Sequence, residues 1–182
     1  DIIPLIDEQG RFVALARKSA TGLQIGDFLI ADQNPAFIIA EVGNNHNGDI
    51  GLAKELVNLA VEAGADCVKF QMRDLSSLYS NQGRNAEAGY DLGSQYTLDL
   101  LNKFQLNHDE LCQVFDYCRQ QDILPLCTPW DLVSAHVLDE YGLEAFKVAS
   151  ADFTNYEMLE TLAKTGKPLL CSTGMSSEAE IK

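Results

Sequence analysis

From residue 36 onward the chain repeats one unit: a short apolar run closing on a polar side chain, a turn, and a stretch with apolar residues at helical spacing. The runs lie at 37–42, 67–71, 123–127, 145–150 and 168–173. Asp49, Asn107 and Asn155 stand where N-caps belong, and Glu110 completes a capping box with Asn107. The helical stripes are Leu52, Leu56, Leu59, Ala60 and Ala63 up to Gly64, then Leu111, Val114, Phe115 and Cys118. Leu132, Ala135, Leu138 and Tyr141 form the third, and Met158, Leu159, Leu162 and Ala163 the fourth, ended by Gly166. A further helix start falls at 176–182. Pro125 predicts a short or irregular third strand. The polar stretch 72–106 interrupts the rhythm, with a short helix predicted near 96–104.

Strands apolar on both faces and alternating with helices predict a parallel sheet in an α/β fold. A doubly wound sheet and a (β/α)8 TIM barrel both satisfy the pattern. No G-x-G-x-x-G follows the first run, which weighs against dinucleotide binding. Polar residues close every run: Glu41, Lys69 with Gln71, Thr128, Lys147 with Ser150, and Ser172 with Thr173. A barrel concentrates its chemistry at that end of its strands. A whole barrel takes roughly 250 residues, so residues 35–182 read as about its first five βα units. Residues 1–34 are expected as a separate leader covering the barrel floor. In it 2–6 and 12–16 form a hairpin about 7–10, and a second short pair flanks Gly26-Asp27. The piece is faintly like the end of a CBS-type module. Because the chain opens on Asp1, it is expected to be processed or cut from something longer.

With 27 acidic against 13 basic residues, the net charge of −14 excludes a nucleic acid or an anionic membrane as partner. No apolar stretch is long enough for a membrane helix and no signal-peptide order opens the chain, so a cytoplasmic location is expected. Five cysteines without Cys-x-x-Cys spacing predict free thiols, with Cys67, Cys127 and Cys171 serving as small hydrophobes.

Lys69 and Gln71, two apart on a strand, point to one face, and Lys147 holds the same kind of position on the fourth strand. An ammonium inside an apolar strand is strongly disfavoured unless an anion compensates it. Two such lysines in one barrel predict a phosphate or carboxylate ligand, or else each pairs with a buried acid such as Glu41. Glu41 suits general acid/base work or a substrate hydroxyl. His46 is a candidate proton shuttle or ligand, or a hydrogen-bonding loop residue. His108 and His136 are expected on solvated helix surface. Ser172 and Thr173, ahead of a helix N-terminus, offer hydroxyls to phosphate oxygens. Asp152 either binds sugar hydroxyls or supports Asn155.

The segments Ile38-Ile39-Ala40-Glu41-Val42-Gly43-Asn44-Asn45-His46-Asn47-Gly48 and Ala63-Gly64-Ala65-Asp66-Cys67-Val68-Lys69-Phe70-Gln71 resemble the N-acetylneuraminate (sialic acid) synthase family. Cys127-Thr128-Pro129-Trp130-Asp131, Phe146-Lys147-Val148-Ala149-Ser150 and the stretch 166–175 continue the resemblance in order. It covers residues 36–182. The resemblance implies a barrel enzyme in which C3 of phosphoenolpyruvate attacks the aldehyde of N-acetylmannosamine or a related amino sugar. Water adds at C2 and phosphate leaves with C–O cleavage. By carry-over Lys69, Lys147, Ser150 and Ser172 bind phosphoenolpyruvate, Gln71 and Asp152 hold the sugar, and Glu41 is the acid/base. Trp130 stands where the family often has Phe, and Asp152 where Glu is common. The family also implies a divalent metal (Mn or Mg) held by histidines on later strands, outside this chain, and a homodimer of the full-length protein. The chain alone is then expected to be inactive. The other readings are a 3-deoxy sugar-acid synthase acting on a phosphorylated aldose, a Schiff-base aldolase using Lys147, and a non-catalytic anion-binding module.

Overall fold

The computed structural model describes residues 2–4, 15–17, 22–78 and 100–181. Two antiparallel pairs come first: β1 (Ile2–Pro4) with β2 (Leu15–Arg17), and β3 (Leu23–Ile25) with β4 (Phe28–Ile30). The turn expected at 7–10 lies outside the described residues. Five parallel strands follow, hydrogen-bonded in sequence order: β5 (Ile39–Gly43), β6 (Cys67–Met72), β7 (Leu124–Pro129), β8 (Phe146–Val148) and β9 (Leu169–Cys171). The helices between them are α1 (Ile50–Glu62), α2 (Leu75–Leu78), α3 (His108–Gln120), α4 (Leu132–Tyr141) and α5 (Tyr156–Lys164), with α6 (Glu178–Ile181) last. A further helical turn occupies 100–104. Sequential order without crossing is the arrangement of a barrel wall.

The helices start where their caps dictate. Asp49 accepts the Gly51 and Leu52 N–H groups at 2.7 and 3.0 Å. The Asn107–Glu110 capping box closes in both directions, at 2.9 and 3.0 Å.

Alternation along the strands sorts side chains into two layers. Outward residues Val42, Val68, Phe70, Cys127, Phe146 and Val148 join Ala53, Val57, Leu111, Phe115, Leu138 and Leu162 of the helices in the main core. Inward residues Cys67, Leu126, Ala145 and Leu170 form a second apolar layer with Ile25, only 1% exposed, flanked by Leu23 and Ile30. The β3–β4 hairpin therefore packs against the inner face at the N-terminal end of the strands.

Three sequence expectations need correction. Pro125 does not shorten its strand: β7 runs six residues in unbroken register with β6. The Leu124 N–H reaches Asp66 on the β6 side, so position 125 faces β8, whose ladder starts only at Cys127, and no donor is missed there. The fourth strand ends at Val148, with Ser150–Asp152 in a 3-10 turn, and the fifth ends at Cys171. Among the described residues no helix is long and apolar enough to cross a membrane.

Candidate active site

The inner face of the sheet turns from apolar to polar along the strands. Glu41 and Lys69 are register partners on β5 and β6, and Glu41 Oε2 lies 2.8 Å from Lys69 Nζ. Lys69 is 7% exposed and also donates to Thr128 Oγ1 at 3.4 Å. Lys147, on β8, donates to Ser172 Oγ at 2.6 Å and to the Val148 carbonyl at 2.5 Å. The Ser172 N–H bonds the same carbonyl at 3.0 Å, so the hydroxyl is set by backbone just past β9.

Burial, and then the charge of Lys69, push the Lys147 pKa down to about 8, against weaker pulls from Cys171 and Glu41. The two ammonium groups thus face one space. Lys69 has a carboxylate partner, whereas Lys147, among the described residues, has only hydroxyl and carbonyl acceptors. Two cations stand near one acid, so this end of the sheet carries surplus positive charge in a strongly acidic chain.

Gln71 lies one inward step beyond Lys69. Its Oε1 accepts from Arg73 Nη2 at 2.7 Å and from Trp130 Nε1 at 3.1 Å. Gly43, with φ of +55°, sits under this group beside a register shift in β5. A Cβ on Gly43 would stand 3.1 Å from both Gln71 Nε2 and Glu41 Oε1. Glycine is required there for its backbone angle and for the space it leaves.

Asp152 supports Asn155, whose Nδ2 donates to Oδ1 at 3.3 Å, while its Oδ2 is buried without a partner. The support of Asn155 is the role the contacts show: one oxygen serves the cap and the other is buried and unpaired. Ser150 opens the 3-10 turn. Thr173 lies in a turn that its carbonyl closes by accepting the Ser176 N–H at 3.0 Å. At the start of α6 an acid of this chain engages the N-terminal donors. Glu180 Oε2 accepts the Ser177 N–H and hydroxyl at 2.7 and 2.8 Å, and those bonds pull its pKa down.

His46 is 1% exposed, accepts the Gly48 N–H on Nδ1 at 3.2 Å and lies 6.3 Å from the outward-facing Phe70 ring. Burial pushes its pKa down. It is the loop residue, not the shuttle. Of the other histidines, His136 is exposed and His108 half-buried. The cysteines are free, and burial pushes Cys118 up to about 12 and Cys171 up to about 11.

Sequence reasoning missed Asp131. It accepts the Asp74 N–H at 2.7 Å, the Ser134 N–H at 2.7 Å and the Ser134 hydroxyl at 2.8 Å, fastening the exit of β6 to the start of α4. An Asp directly ahead of an apolar helical stripe was the available signal. Arg73 was missed because it opens the polar stretch. Among the described residues no group of three or more His, Cys, Asp or Glu is placed to hold a metal ion.

The NeuB family profile matches residues 56–182. An uncharacterized protein of Methanocaldococcus jannaschii is 40% identical over 159 residues, covering 87% of this chain and 44% of that protein. The N,N'-diacetyllegionaminic acid synthase of Campylobacter jejuni is 37% identical over 149 residues, covering 80% and 44%. An N-acetylneuraminic acid (sialic acid) synthetase of Leptospira borgpetersenii, solved with citrate, superimposes with a TM-score of 0.74 at 31% identity. That match covers 87% of this chain and 52% of the synthetase. The chain spans about half the length of the relatives it matches. With the family profile over most of its length and five parallel βα units shared with solved relatives, this chain belongs to the NeuB, or sialic acid synthase, family.

Proposed function

We propose that this chain is the phosphoenolpyruvate-binding part of a sugar-acid synthase that condenses phosphoenolpyruvate with an N-acetylated amino sugar. The observation that carries the reading is the pair of inward ammonium groups, Lys69 and Lys147, with one carboxylate, Glu41, paired to Lys69. A phosphate or carboxylate entering the mouth takes the free charge of Lys147 and draws Lys69 away from Glu41. Ser172, Thr128 and Ser150 add hydroxyl donors around it. Fixed cations in a water-poor site stabilise the anion more strongly as charge builds on the departing phosphate. Glu41, released from Lys69, becomes the acid/base beside the reacting carbons. C3 of the enol ester attacks the sugar aldehyde, water adds at C2, and phosphate leaves with C–O cleavage.

The divalent metal expected for the whole enzyme does not fit the described residues, and no step here runs through it. The relatives named as synthases of legionaminic and sialic acids support the sugar class. Thr173 and Asp152 belong to the proposed site through their position at the strand exits.

Titration calorimetry with phosphoenolpyruvate tests the reading: binding to the chain is expected, and loss of it in Lys69→Met and in Lys147→Met. Binding unchanged in both variants refutes it. The lowered Lys147 pKa also favours a Schiff-base aldolase, since a neutral amine attacks carbonyls. Borohydride trapping with pyruvate separates the two, and no label on Lys147 is expected.

A further inference from the structure

We infer that Arg73 and Trp130 are positioning residues that lock the Gln71 amide with its NH2 group turned into the mouth, as a fixed donor to an oxygen of the acceptor sugar. The inference rests on the reading just given. Arg73 Nη2 at 2.7 Å and Trp130 Nε1 at 3.1 Å both donate to Gln71 Oε1. A carbonyl oxygen has two lone pairs, so both are used. Turning the amide over would set its NH2 against two N–H donors and leave all of them unpaired, so only one orientation is stable.

The two donors hold each other as well. The Arg73 guanidinium lies 4.5 Å from the Trp130 ring centroid, a cation–π stack. The Trp130 backbone N–H reaches the Met72 carbonyl at 3.0 Å, and Asp131 takes the Asp74 N–H at 2.7 Å. These links brace the exits of β6 and β7 on both sides of the stack.

With Oε1 engaged, Nε2 is the free end of the amide and stands on the same side of Gly43 as Glu41 Oε1, each 3.1 Å from where a Cβ would sit. A locked donor and an acid acceptor on one side of Gly43 suit a hydroxyl at the mouth, which both donates and accepts. Phe at position 130 keeps the ring but has no N–H. A site built on a hydrogen bond discriminates strongly against ligands that cannot complete it.

The experiment uses the 15N-labelled chain, with the Gln71 NH2 resonance assigned by its loss in Gln71→Met. Its order parameter is expected near the rigid value of about 0.85, falling below about 0.6 in Trp130→Phe and in Arg73→Met. Arg73→Lys keeps the charge without the planar fork and is expected to lose the lock as fully, which a charge role alone does not predict. The dissociation constant for N-acetylmannosamine, measured with saturating phosphoenolpyruvate, rises at least fivefold in each variant, while that for phosphoenolpyruvate stays within twofold. An unchanged order parameter in both variants overturns the lock. Lost order with unchanged sugar affinity, or no sugar binding to the wild type, overturns the sugar role. Failure of phosphoenolpyruvate to bind the wild type defeats the functional reading instead, and the order parameters still decide the lock.

Discussion

Raising the pH from 7 to 9 discharges Lys147, whose pKa burial and the Lys69 charge push down to about 8. With that midpoint the ammonium is populated at about 90% at the lower pH and about 10% at the upper. If the bound anion requires the charged form, the affinity for phosphoenolpyruvate falls about tenfold across the window, or about 1.4 kcal/mol. The phosphate of the ligand has its second pKa near about 6 and keeps a constant charge over this range. The sign follows from the direction of the shift: the free protein releases the proton early, the bound anion restores it, and binding above the midpoint takes up a proton. Unfolding does not mimic the effect. A lysine whose folded pKa lies below its unfolded one destabilises the fold at low pH and relieves it as pH rises through about 8. Titration calorimetry in two buffers of different ionisation enthalpy reads both affinity and proton uptake. Lys147→Arg, charged throughout, is expected to flatten the profile, and Lys147→Met to bind weakly at every pH. A fall of less than twofold, or one that persists in the Arg variant, refutes the reasoning.

Three further perturbations have defined outcomes. Glu41→Gln frees Lys69 from a carboxylate whose side chain is 55% exposed, so after solvent screening about 1 kcal/mol of competition is removed. Phosphoenolpyruvate then binds severalfold more tightly, and weaker binding by calorimetry would contradict the displacement step. Gly43→Ala forces a side chain onto a φ of +55° and against Gln71 and Glu41, lowering the unfolding free energy in urea by about 1–2 kcal/mol. Asp131→Ala leaves the Asp74 and Ser134 N–H groups without their acceptor and lowers stability by about 3 kcal/mol. A urea midpoint within error of the wild type would show that water replaces the carboxylate.

The two-residue period of a strand made Lys69, Gln71 and Lys147 legible as inward-facing residues, because neighbouring apolar positions fix which face is which. Their partners were less legible. Glu41 was expected near the lysines, yet its pairing with Lys69 rather than Lys147 depends on the β5–β6 register, which the local sequence does not encode. Ser150 was read as the end of a strand that stops two residues earlier, at Val148. Pro125 was judged by its lost donor, and the staggered start of β8 makes that donor unnecessary. The Arg73–Trp130–Gln71 group joins residues 59 apart and belongs to no local motif, so only the adjacency of β6 and β7 reveals it.

The β3–β4 hairpin has a consequence for how the chain reaches this state. Ile25 leaves the ribosome before any wall strand exists, yet the apolar layer it joins includes Leu170, 145 positions later. The cork is made first and seated last. Docking it demands closure of a long loop, a step that belongs late on the folding path. Until then Cys67, Leu126 and Ala145 stand open to solvent, and the nascent chain depends on rapid wall assembly to escape aggregation.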